Sequence, residues 1–282
     1  MLKKNEYSDK ASTLTEAIPY FLKFRGKTFV FKVGGKILDS DEVFEAIAED
    51  IVILSLVGIK PIVVHGGGKE ITAFLERLGI KSEFKDGIRK TDDKVMEIVE
   101  MVLDGKINGK IVSSICKKGG KAIGLSGRDS FCIVSEKVEG RVGRVKEVKR
   151  EVIEKIIQSG FIPVISSVTT TEDGISLNTN ADEVACEVAI SISSEKLILL
   201  TDEEGVIGKN NQILRTITKE KAEELIKEGI IHGGMIPKVR LAIKAIENGV
   251  KKVHIISGLI QHSVLLEIFT DQGIGTEIVA QT

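Results

Sequence analysis

Short apolar runs, separated by longer amphipathic stretches, set the pattern of this chain. The runs lie at 28–33, 61–66, 122–127, 161–166, 196–201 and 252–257. An apolar run of about six residues without alternation is typical of a strand that is covered on both faces, as in a parallel sheet with crossover helices. The runs therefore predict the strands of a mainly parallel sheet.

The stretches between the runs carry apolar residues at spacings of three and four, which predicts helices that pack on the sheet. These stretches lie at 42–56, 92–103, 106–116, 180–192 and 237–248. The alternation predicts an α/β fold, a three-layer αβα sandwich around a mainly parallel central sheet. Residues 131–148 differ, because they are polar, β-branched and punctuated by glycine. They predict a hairpin that covers an opening like a lid.

Composition excludes several classes of function. The 282 residues are 42% hydrophobic and 29% charged, as in ordinary soluble globular proteins. The formal net charge is −1, with Lys and Arg dispersed among Asp and Glu, so we expect no nucleic-acid partner. No apolar stretch reaches the roughly 20 residues that cross a bilayer, and the amino-terminal residues lack the apolar core of a signal peptide. We therefore expect no membrane partner and a cytoplasmic location.

Cysteine and histidine patterns argue against a metal site. Cys116, Cys132 and Cys186 are odd in number and lack Cys-x-x-Cys spacing, which disfavours a disulfide framework and a structural zinc site. We expect all three to be reduced thiols in the core. The four histidines also lack metal-ligand spacing. We assign none of them to catalysis and expect no protein-bound metal.

Two clusters of glycine follow predicted strands. Gly34 and Gly35 come after the first run, and a triplet at 66–68 comes after the second. Open parallel sheets bind ligands at the carboxyl ends of their strands, where free backbone N–H groups favour phosphate or carboxylate. Tight turns alone could require the same glycines, and for a single cluster the two interpretations carry equal weight. The presence of two clusters favours an anion site.

Lysines beside glycine turns are candidates for phosphate chemistry. The chain contains neither the glycine spacing of a dinucleotide-binding turn nor a P-loop sequence, so a different phosphate chemistry is needed. Lys32 directly precedes the first glycine pair, and Lys238 lies in HGGMIPKVR (232–240), where Gly-Gly and Pro mark a helix start. A lone lysine at a strand end is usually a solvated surface group. Beside the glycine turns, these two are the leading catalytic pair.

An ordered set of motifs runs through almost the whole chain: KVGGK (32–36), VVHGGGKEI (63–71), DGIRKT (86–91), GLSGRD (124–129), LNTNADEVA (177–185), LLTDEEGV (199–206) and GGMIPK (233–238). Together they resemble the amino acid kinase family. Within it, they resemble the members that phosphorylate the side-chain carboxylate of N-acetyl-L-glutamate with ATP in arginine biosynthesis. The resemblance implies ATP with Mg²⁺, the metal being held mainly by phosphates and water.

The resemblance also implies roles for three charged residues. Lys32 and Lys238 match the lysines that neutralise charge on the transferred phosphoryl group, a reaction that depends mainly on positioning and electrostatics. The acceptor carboxylate, with an ordinary pKa of about 4.3, is already ionised at neutral pH and needs no general base. Asp182 is therefore expected to organise the two lysines, which is compatible with an acid at a helix N-terminus.

Substrate-binding residues follow from the same motifs. Gly67 and Gly68 match glycines whose amides approach the acetylglutamate and the phosphate, so a side chain there would occupy ligand space. Arg89 matches the arginine that grips the substrate α-carboxylate with its planar fork, although a loop arginine is more often a surface salt-bridge partner. Asn178 and Asn180 resemble amides that bind the acetylamino group. The matching nucleotide-binding residues are Gly34, Gly35, Thr201, Asp202, Gly205, Val206, Ile207, Ile231, His232 and Gly233.

Both ends of the chain carry further features. Residues 13–24 predict an amphipathic helix with a stripe formed by Leu14, Ala17, Ile18, Phe21 and Phe24. One interpretation is docking on its own lobe. The helix also resembles the one that joins dimers into a ring-shaped hexamer, a trimer of dimers, in members inhibited by L-arginine. With the segment at 265–278, this resemblance places Tyr20, Glu267 and Gly273 near the arginine effector.

By the same resemblance the chain divides into an oligomerisation helix (1–26), an acetylglutamate-binding lobe (27–194) and a nucleotide-binding lobe with the arginine-site segment (195–282). Two alternatives stay open. The enzyme could act on another acceptor, such as an acetylated or carrier-linked aminoadipate, carbamate or a nucleoside monophosphate. The chain could also be a non-catalytic ligand-sensing module, although such a module is expected to lack one of the three charged residues.

Overall fold

The computed structural model describes residues 15–85 and 87–281. The strands in this part of the chain are β1 (Thr28–Val33), β2 (Lys60–His65), β3 (Phe84–Lys85), β4 (Ile88–Arg89), β5 (Ala122–Leu125), β6 (Ile133–Glu139), β7 (Val142–Val148), β8 (Ile162–Ser166), β9 (Val168–Thr170), β10 (Ser176–Thr179), β11 (Lys196–Thr201), β12 (Thr216–Thr218), β13 (Lys252–Ser257) and β14 (Thr276–Val279). The α-helices are α1 (Ile18–Phe24), α2 (Asp41–Leu56), α3 (Gly68–Arg77), α4 (Asp93–Glu100), α5 (Asn108–Lys117), α6 (Arg150–Gln158), α7 (Ala181–Ser191), α8 (Lys219–Lys227), α9 (Met235–Glu247) and α10 (Ser263–Ile268).

Eight strands form one sheet in the order β12-β14-β13-β11-β1-β2-β8-β5. Its parallel members β13, β11, β1, β2, β8 and β5 are the strands that the six apolar runs predict. At one edge, β14 pairs antiparallel with β13, and β12 pairs parallel with β14. The mainly parallel sheet is therefore confirmed. The two edge strands were not predicted, because runs of three and four residues leave little pattern.

The sheet separates two apolar cores. Phe29 and Phe31 of β1 lie in one core with α2, α3, α4 and α5, whereas Val30 lies in the other with α6, α7, α8 and α9. All three β1 side chains are fully buried. Successive side chains of a strand point to opposite faces, so a strand covered on both sides is apolar throughout. The three-layer sandwich is confirmed.

The two helices expected at 92–103 and 106–116 form one continuous helical segment. Between α4 and α5, residues Met101–Ile107 adopt a π-helical turn. A π turn adds residues to a helical turn and changes which side chains face the core, and such turns often lie near functional sites. In this segment Leu103 and Ile107 are buried, whereas Met101 is exposed.

The hairpin expected at 131–148 is present as β6 and β7, which pair antiparallel. It is joined to β9 and β10 in a small closed barrel. The Glu183 carboxylate of α7 also accepts a hydrogen bond from the Val145 N–H at 2.8 Å. The hairpin is therefore a wall of a folded substructure rather than a separate lid.

The amino-terminal helix docks on the chain itself. The Phe24 ring lies 5.2 Å from the Phe29 ring, and the Phe21 ring lies 4.9 Å from the Phe269 ring. Ile18, predicted in the buried stripe, is 48% exposed, because the aromatic side of the helix faces the core instead. Leu14 and the other residues before Thr15 lie outside the described residues.

The three cysteines differ in their exposure to solvent. Cys132 and Cys186 are buried, but Cys116 is exposed near the end of α5, so the expectation of three core thiols was wrong for Cys116. It lies on the solvent side of its helix, one residue after the buried Ile115.

No described helix combines the length and apolarity needed to cross a membrane.

The glycine triplet after β2 has a packing role that the sequence interpretation missed. A Cβ on Gly67 would lie 2.0 Å from Ile107 Cδ1 and 2.8 Å from Leu103 Cδ2, both in the π turn. A Cβ on Gly68 would meet nothing within 4 Å. The expectation that a side chain at 67 would occupy ligand space is therefore wrong, because the buried helix occupies that space. At 68 the space is open.

We expect Gly67→Ala to lower the free energy of unfolding by roughly 1–3 kcal/mol, since the added methyl group would overpack two buried side chains. The matched variant Gly68→Ala, at the first position of α3, is expected to be unchanged or more stable by up to about 1 kcal/mol. Urea unfolding followed by circular dichroism at fixed protein concentration measures both. Equal stability of the two variants would contradict this account.

Candidate active site

Three charged side chains from different elements meet at the carboxyl end of the sheet. Lys32 lies near the end of β1, Asp182 in the first turn of α7, and Lys238 in the first turn of α9. Lys32 Nζ lies 3.0 Å from Asp182 Oδ1, and Lys238 Nζ lies 2.7 Å from Asp182 Oδ2. The structure therefore brings together the three residues that the sequence singled out as catalytic, with the carboxylate between the ammonium groups.

Burial and charge act in opposite directions on the protonation state of Asp182. The side chains of Lys32 and Asp182 are each 13% exposed. Burial alone would raise the pKa of Asp182, but the two lysines outweigh it and hold that pKa at about 2. An ionised carboxylate between two ammonium groups leaves one net positive charge in a partly buried site. Such a site attracts anions.

A first cavity of about 460 Å³ opens beside these lysines. It lies at the carboxyl ends of β1 and β11, where open parallel sheets bind ligands. Its lining includes both lysines and apolar surface from Leu200 and Met235, which the sequence did not single out. All ten predicted nucleotide-binding residues line this cavity: Gly34, Gly35, Thr201, Asp202, Gly205, Val206, Ile207, Ile231, His232 and Gly233.

A second cavity of about 270 Å³ lies on the other side of Lys32. It is formed by the glycine turn after β2, the β3–β4 hairpin, β7 and the segment from β10 into α7. Lys32, Gly34 and Gly35 line both cavities, so the two spaces meet at the end of β1. The five predicted substrate-binding residues line the second cavity: Gly67, Gly68, Arg89, Asn178 and Asn180.

Arg89 is a buried cation at the wall of the second cavity, with 6% of its surface exposed. Its guanidinium donates to the Gly68 carbonyl at 2.6 Å, to the Thr72 hydroxyl at 2.8 Å and to the Ser82 hydroxyl. Within residues 15–85 and 87–281 no carboxylate forms an ion pair with it, and burial lowers its pKa. A buried guanidinium held only by neutral acceptors favours an anionic ligand.

The two asparagines have different surroundings. Asn178 Nδ2 donates to the Thr91 hydroxyl at 3.1 Å, and its side chain lines the second cavity. Asn180 caps helix α7, with Oδ1 accepting from the N–H of Asp182 at 2.8 Å. Because the side-chain oxygen of Asn180 is used in this cap, only its Nδ2 group remains for the expected contact with a ligand. The Asn-x-Asp spacing could have revealed this cap.

Some lining residues of the second cavity, among them Ser167 and Glu183, were not found from the sequence. Glu183 follows Asp182 in the motif at 177–185, which was the only available signal. Among the described residues no group of three or more His, Cys, Asp or Glu side chains is arranged to hold a metal ion.

A third cavity of about 270 Å³ lies at the opposite, amino-terminal end of β11, beside α1. Tyr20, Glu267 and Gly273 all line it, as the sequence predicted for an effector site. The Tyr20 hydroxyl donates to Asp271, and Glu267 Oε1 lies 2.6 Å from His254 Nδ1. Gly273 has a φ of +57°, and a Cβ there would lie 2.7 Å from Glu267. Glycine is needed at this position.

A buried lysine and histidine complete the floor of the third cavity. Lys196 Nζ lies 2.8 Å from His254 Nε2, and burial lowers the pKa of Lys196 to about 8. Sequence analysis missed both residues, because neither belongs to a glycine turn or a metal-like spacing.

Comparison with known proteins identifies the family. Residues 27–257 match the model of the amino acid kinase family. Acetylglutamate kinase of Aquifex aeolicus strain VF5 is 46% identical over 98% of this chain and 100% of its own length. Acetylglutamate kinase of Caldanaerobacter subterraneus subsp. tengcongensis is 48% identical over 99% of this chain and 97% of its own.

A solved structure shares the fold at lower identity. N-acetylglutamate synthase from Neisseria gonorrhoeae, complexed with coenzyme A and N-acetyl-glutamate, superimposes with a TM-score of 0.85 and 23% identity. The match covers 96% of this chain and 64% of that one. At 23% identity, this similarity shows a shared fold only. The nearly full-length matches at 46% and 48% identity show the family. The chain belongs to the amino acid kinase family and, within it, to the acetylglutamate kinases.

Proposed function

We propose that the protein transfers the γ-phosphoryl group of ATP to the side-chain carboxylate of N-acetyl-L-glutamate; the relatives that it matches are named acetylglutamate kinase. The observation that carries the proposal is the meeting of two cavities at Lys32, with Asp182 and Lys238 beside it. ATP in the first cavity and the acceptor in the second would face each other across these cations. Direct transfer requires this arrangement.

The chemistry needs no general base. An oxygen of the ionised acceptor carboxylate attacks the γ-phosphorus, and the bond to the β,γ-bridging oxygen breaks to release ADP. Lys32 and Lys238 stabilise the negative charge on the transferred group and on the leaving oxygen. Asp182, with a pKa of about 2, stays ionised at neutral pH and acts by holding the lysines in place.

Recognition of the acceptor follows from the groups around the second cavity. Arg89 supplies a buried guanidinium for the α-carboxylate, and the amide of Asn178 supplies a hydrogen-bond donor for the acetyl carbonyl. The Gly68 position leaves open space beside the glycine turn. Mg²⁺ accompanies ATP in this proposal. Because no metal-ligand cluster occurs among the described residues, phosphate oxygens and water would hold most of its coordination sphere.

The alternatives can be separated by the acceptor. Another carboxylate acceptor would use the same three charged residues, and the size of the second cavity would select it. A non-catalytic sensing module is disfavoured by the intact ion-paired cluster.

The decisive experiment measures ADP release from MgATP with and without N-acetyl-L-glutamate and traps the acyl phosphate with hydroxylamine. Turnover that depends on N-acetyl-L-glutamate supports the proposal. Faster turnover with N-acetyl-aminoadipate or carbamate in the same panel would reassign the acceptor, and no turnover with any acceptor would favour a sensing module.

Lys238→Met should lower kcat by roughly 10²–10³-fold, because it removes a preorganised cation from the transferring group. Lys244→Met on the same helix is the matched control, since Lys244 pairs with Glu187 at 2.5 Å outside both cavities. The control should keep kcat within about twofold of the wild type. Similar values for the two variants would remove Lys238 from the mechanism.

Regulation by L-arginine is the second part of the proposal. The third cavity offers carboxylates from Glu267, Asp271 and Glu277 to a guanidinium. Strand β11 connects the sites, since Lys196 at one end lines this cavity and Thr201 at the other end lines the first. Arginine would inhibit by binding more tightly to an open arrangement that separates the nucleotide lobe (195–282) from the acetylglutamate lobe (27–194).

The helix α1 would also join dimers into a hexamer built as a trimer of dimers. Its outward side chains Ile18 and Leu22 are 48% and 71% exposed, which leaves an apolar surface for a second copy. Light scattering measures this assembly, and a hexamer is expected.

Tyr20→Ala should raise the arginine concentration needed for half-inhibition by roughly tenfold or more, because Tyr20 lines the effector cavity and bonds Asp271. Without arginine, kcat should stay within about twofold, since Tyr20 touches neither substrate cavity. Tyr20→Phe keeps the ring and should retain more of the response. An unchanged arginine response in Tyr20→Ala would refute the effector assignment.

A further inference from the structure

His65 is a fully buried histidine that has no assigned role in the proposed phosphoryl transfer. It is the last residue of β2 and directly precedes the glycine turn of the acceptor cavity. Its side chain is 0% exposed and is absent from the lining of the nucleotide and acceptor cavities. It therefore cannot contact a ligand in either cavity directly.

The hydrogen bonds around His65 determine which ring nitrogen carries the proton. Asn108 Nδ2 lies 2.9 Å from the Val164 carbonyl oxygen, which can only accept, so this atom is the amide nitrogen. The same nitrogen lies 3.0 Å from His65 Nε2. Because an amide NH₂ donates and does not accept, Nε2 must be the unprotonated acceptor. The proton of the neutral ring is then on Nδ1, which donates to the Gly66 carbonyl at 3.2 Å.

The surroundings oppose the charged form of the ring. A second proton on Nε2 would face the Asn108 N–H in a buried space with no acceptor between them. Asn108 cannot turn away easily, because Gly124 packs so closely that a Cβ there would lie 1.9 Å from Asn108 Oδ1. Burial also lowers the pKa of His65 to about 4, despite the Gly66 carbonyl. The ring is thus neutral at physiological pH, in one tautomer.

This tautomer orients the glycine turn. The Gly66–Gly67 peptide is planar and trans, so its C=O and N–H point in opposite directions. The Gly66 carbonyl is directed to the His65 ring, which does not line the cavity, so the Gly67 N–H points away from that ring. The turn is further tied by the Gly66 N–H to the Val33 carbonyl at 3.3 Å and by the Ser167 N–H to the His65 carbonyl at 3.1 Å.

We propose that His65, held by Asn108, is a positioning residue that turns the Gly67 N–H toward the reacting phosphoryl group. The inference rests on the proposed function, because it assigns this N–H to the transition state of that transfer. Donors aimed in advance at developing charge raise kcat, whereas donors that bind substrate and transition state equally lower KM. His65 therefore contributes to kcat without touching a substrate.

Two substitutions separate the contacts of the ring. His65→Asn places an amide nitrogen near the Nδ1 position and keeps the donor to Gly66, while it loses the contact with Asn108. His65→Gln reaches the Nε2 position and keeps the contact with Asn108, while it loses the donor to Gly66. Each variant loses one buried hydrogen bond, so similar losses of thermal stability are expected.

We expect His65→Gln to lower kcat by about 10- to 100-fold with KM for ATP little changed, and His65→Asn to stay within about fivefold of the wild type. Equal kcat values for the two variants would show that His65 serves the fold alone. An active wild type in the same assay separates this outcome from failure of the proposed function, which would abolish acceptor-dependent turnover in all three proteins.

A measurement on the wild type tests the tautomer without any variant. The ¹⁵N resonances of His65 should show a protonated Nδ1 and a bare Nε2 and should remain those of a neutral ring when the pH falls to about 5, consistent with a pKa of about 4. His254 must be told apart by assignment, because its Nδ1 lies 2.6 Å from Glu267 Oε1 and its Nε2 lies 2.8 Å from Lys196 Nζ, which favours the same tautomer. If His65 carries its proton on Nε2, or titrates with an ordinary pKa, the inference is wrong. The His65 signal is assigned as the one that is missing from the spectrum of His65→Asn. If His65→Asn does not fold, comparison of the wild type with Asn108→Leu assigns the signal instead.

Discussion

One carboxylate held between two ammonium groups is the interaction on which the functional end of this molecule depends. Asp182 draws Lys32 and Lys238 to within 3.0 and 2.7 Å, although the three residues lie on a strand and two different helices. Without the carboxylate, two partly buried ammonium groups would repel each other and would be poorly solvated. With it, the cluster keeps one net positive charge, which suits a site for phosphoryl transfer. The Asn180 cap fixes the helix turn that carries the carboxylate.

The position of the glycine turn depends on a different constraint, the close approach of the π turn. Leu103 and Ile107 fill the space that a side chain at Gly67 would need, and Asn108, the next residue along, holds the His65 ring. The cavity wall is thus set by apolar packing on one side and by a hydrogen-bonded ring on the other. Glycine at 67 is required by the protein's own core, whereas glycine at 68 leaves space in the cavity.

The sheet also relates the three cavities to one another. The nucleotide and acceptor cavities share Lys32, Gly34 and Gly35 at the end of β1, while β11 runs from the third cavity to the first. Because β1 and β11 are paired neighbours, the residues proposed for two lobes belong to one continuous sheet. Relative movement of the lobes would therefore have to bend or twist this sheet rather than open a linker.

The sequence by itself determined the six parallel strands, since strands covered on both faces must be apolar along their whole length. The resemblance that its motifs carry also identified residues of all three cavities, but not Ser167, Lys196 or His254. The sequence did not reveal the π turn, the edge strands or the partners of His65, which depend on residues far apart in sequence. Only the tertiary structure decided that the π turn fills the space beside Gly67 and that Ile18 faces outward. Packing and hydrogen bonds between distant segments determine these features, and local pattern carries no record of them.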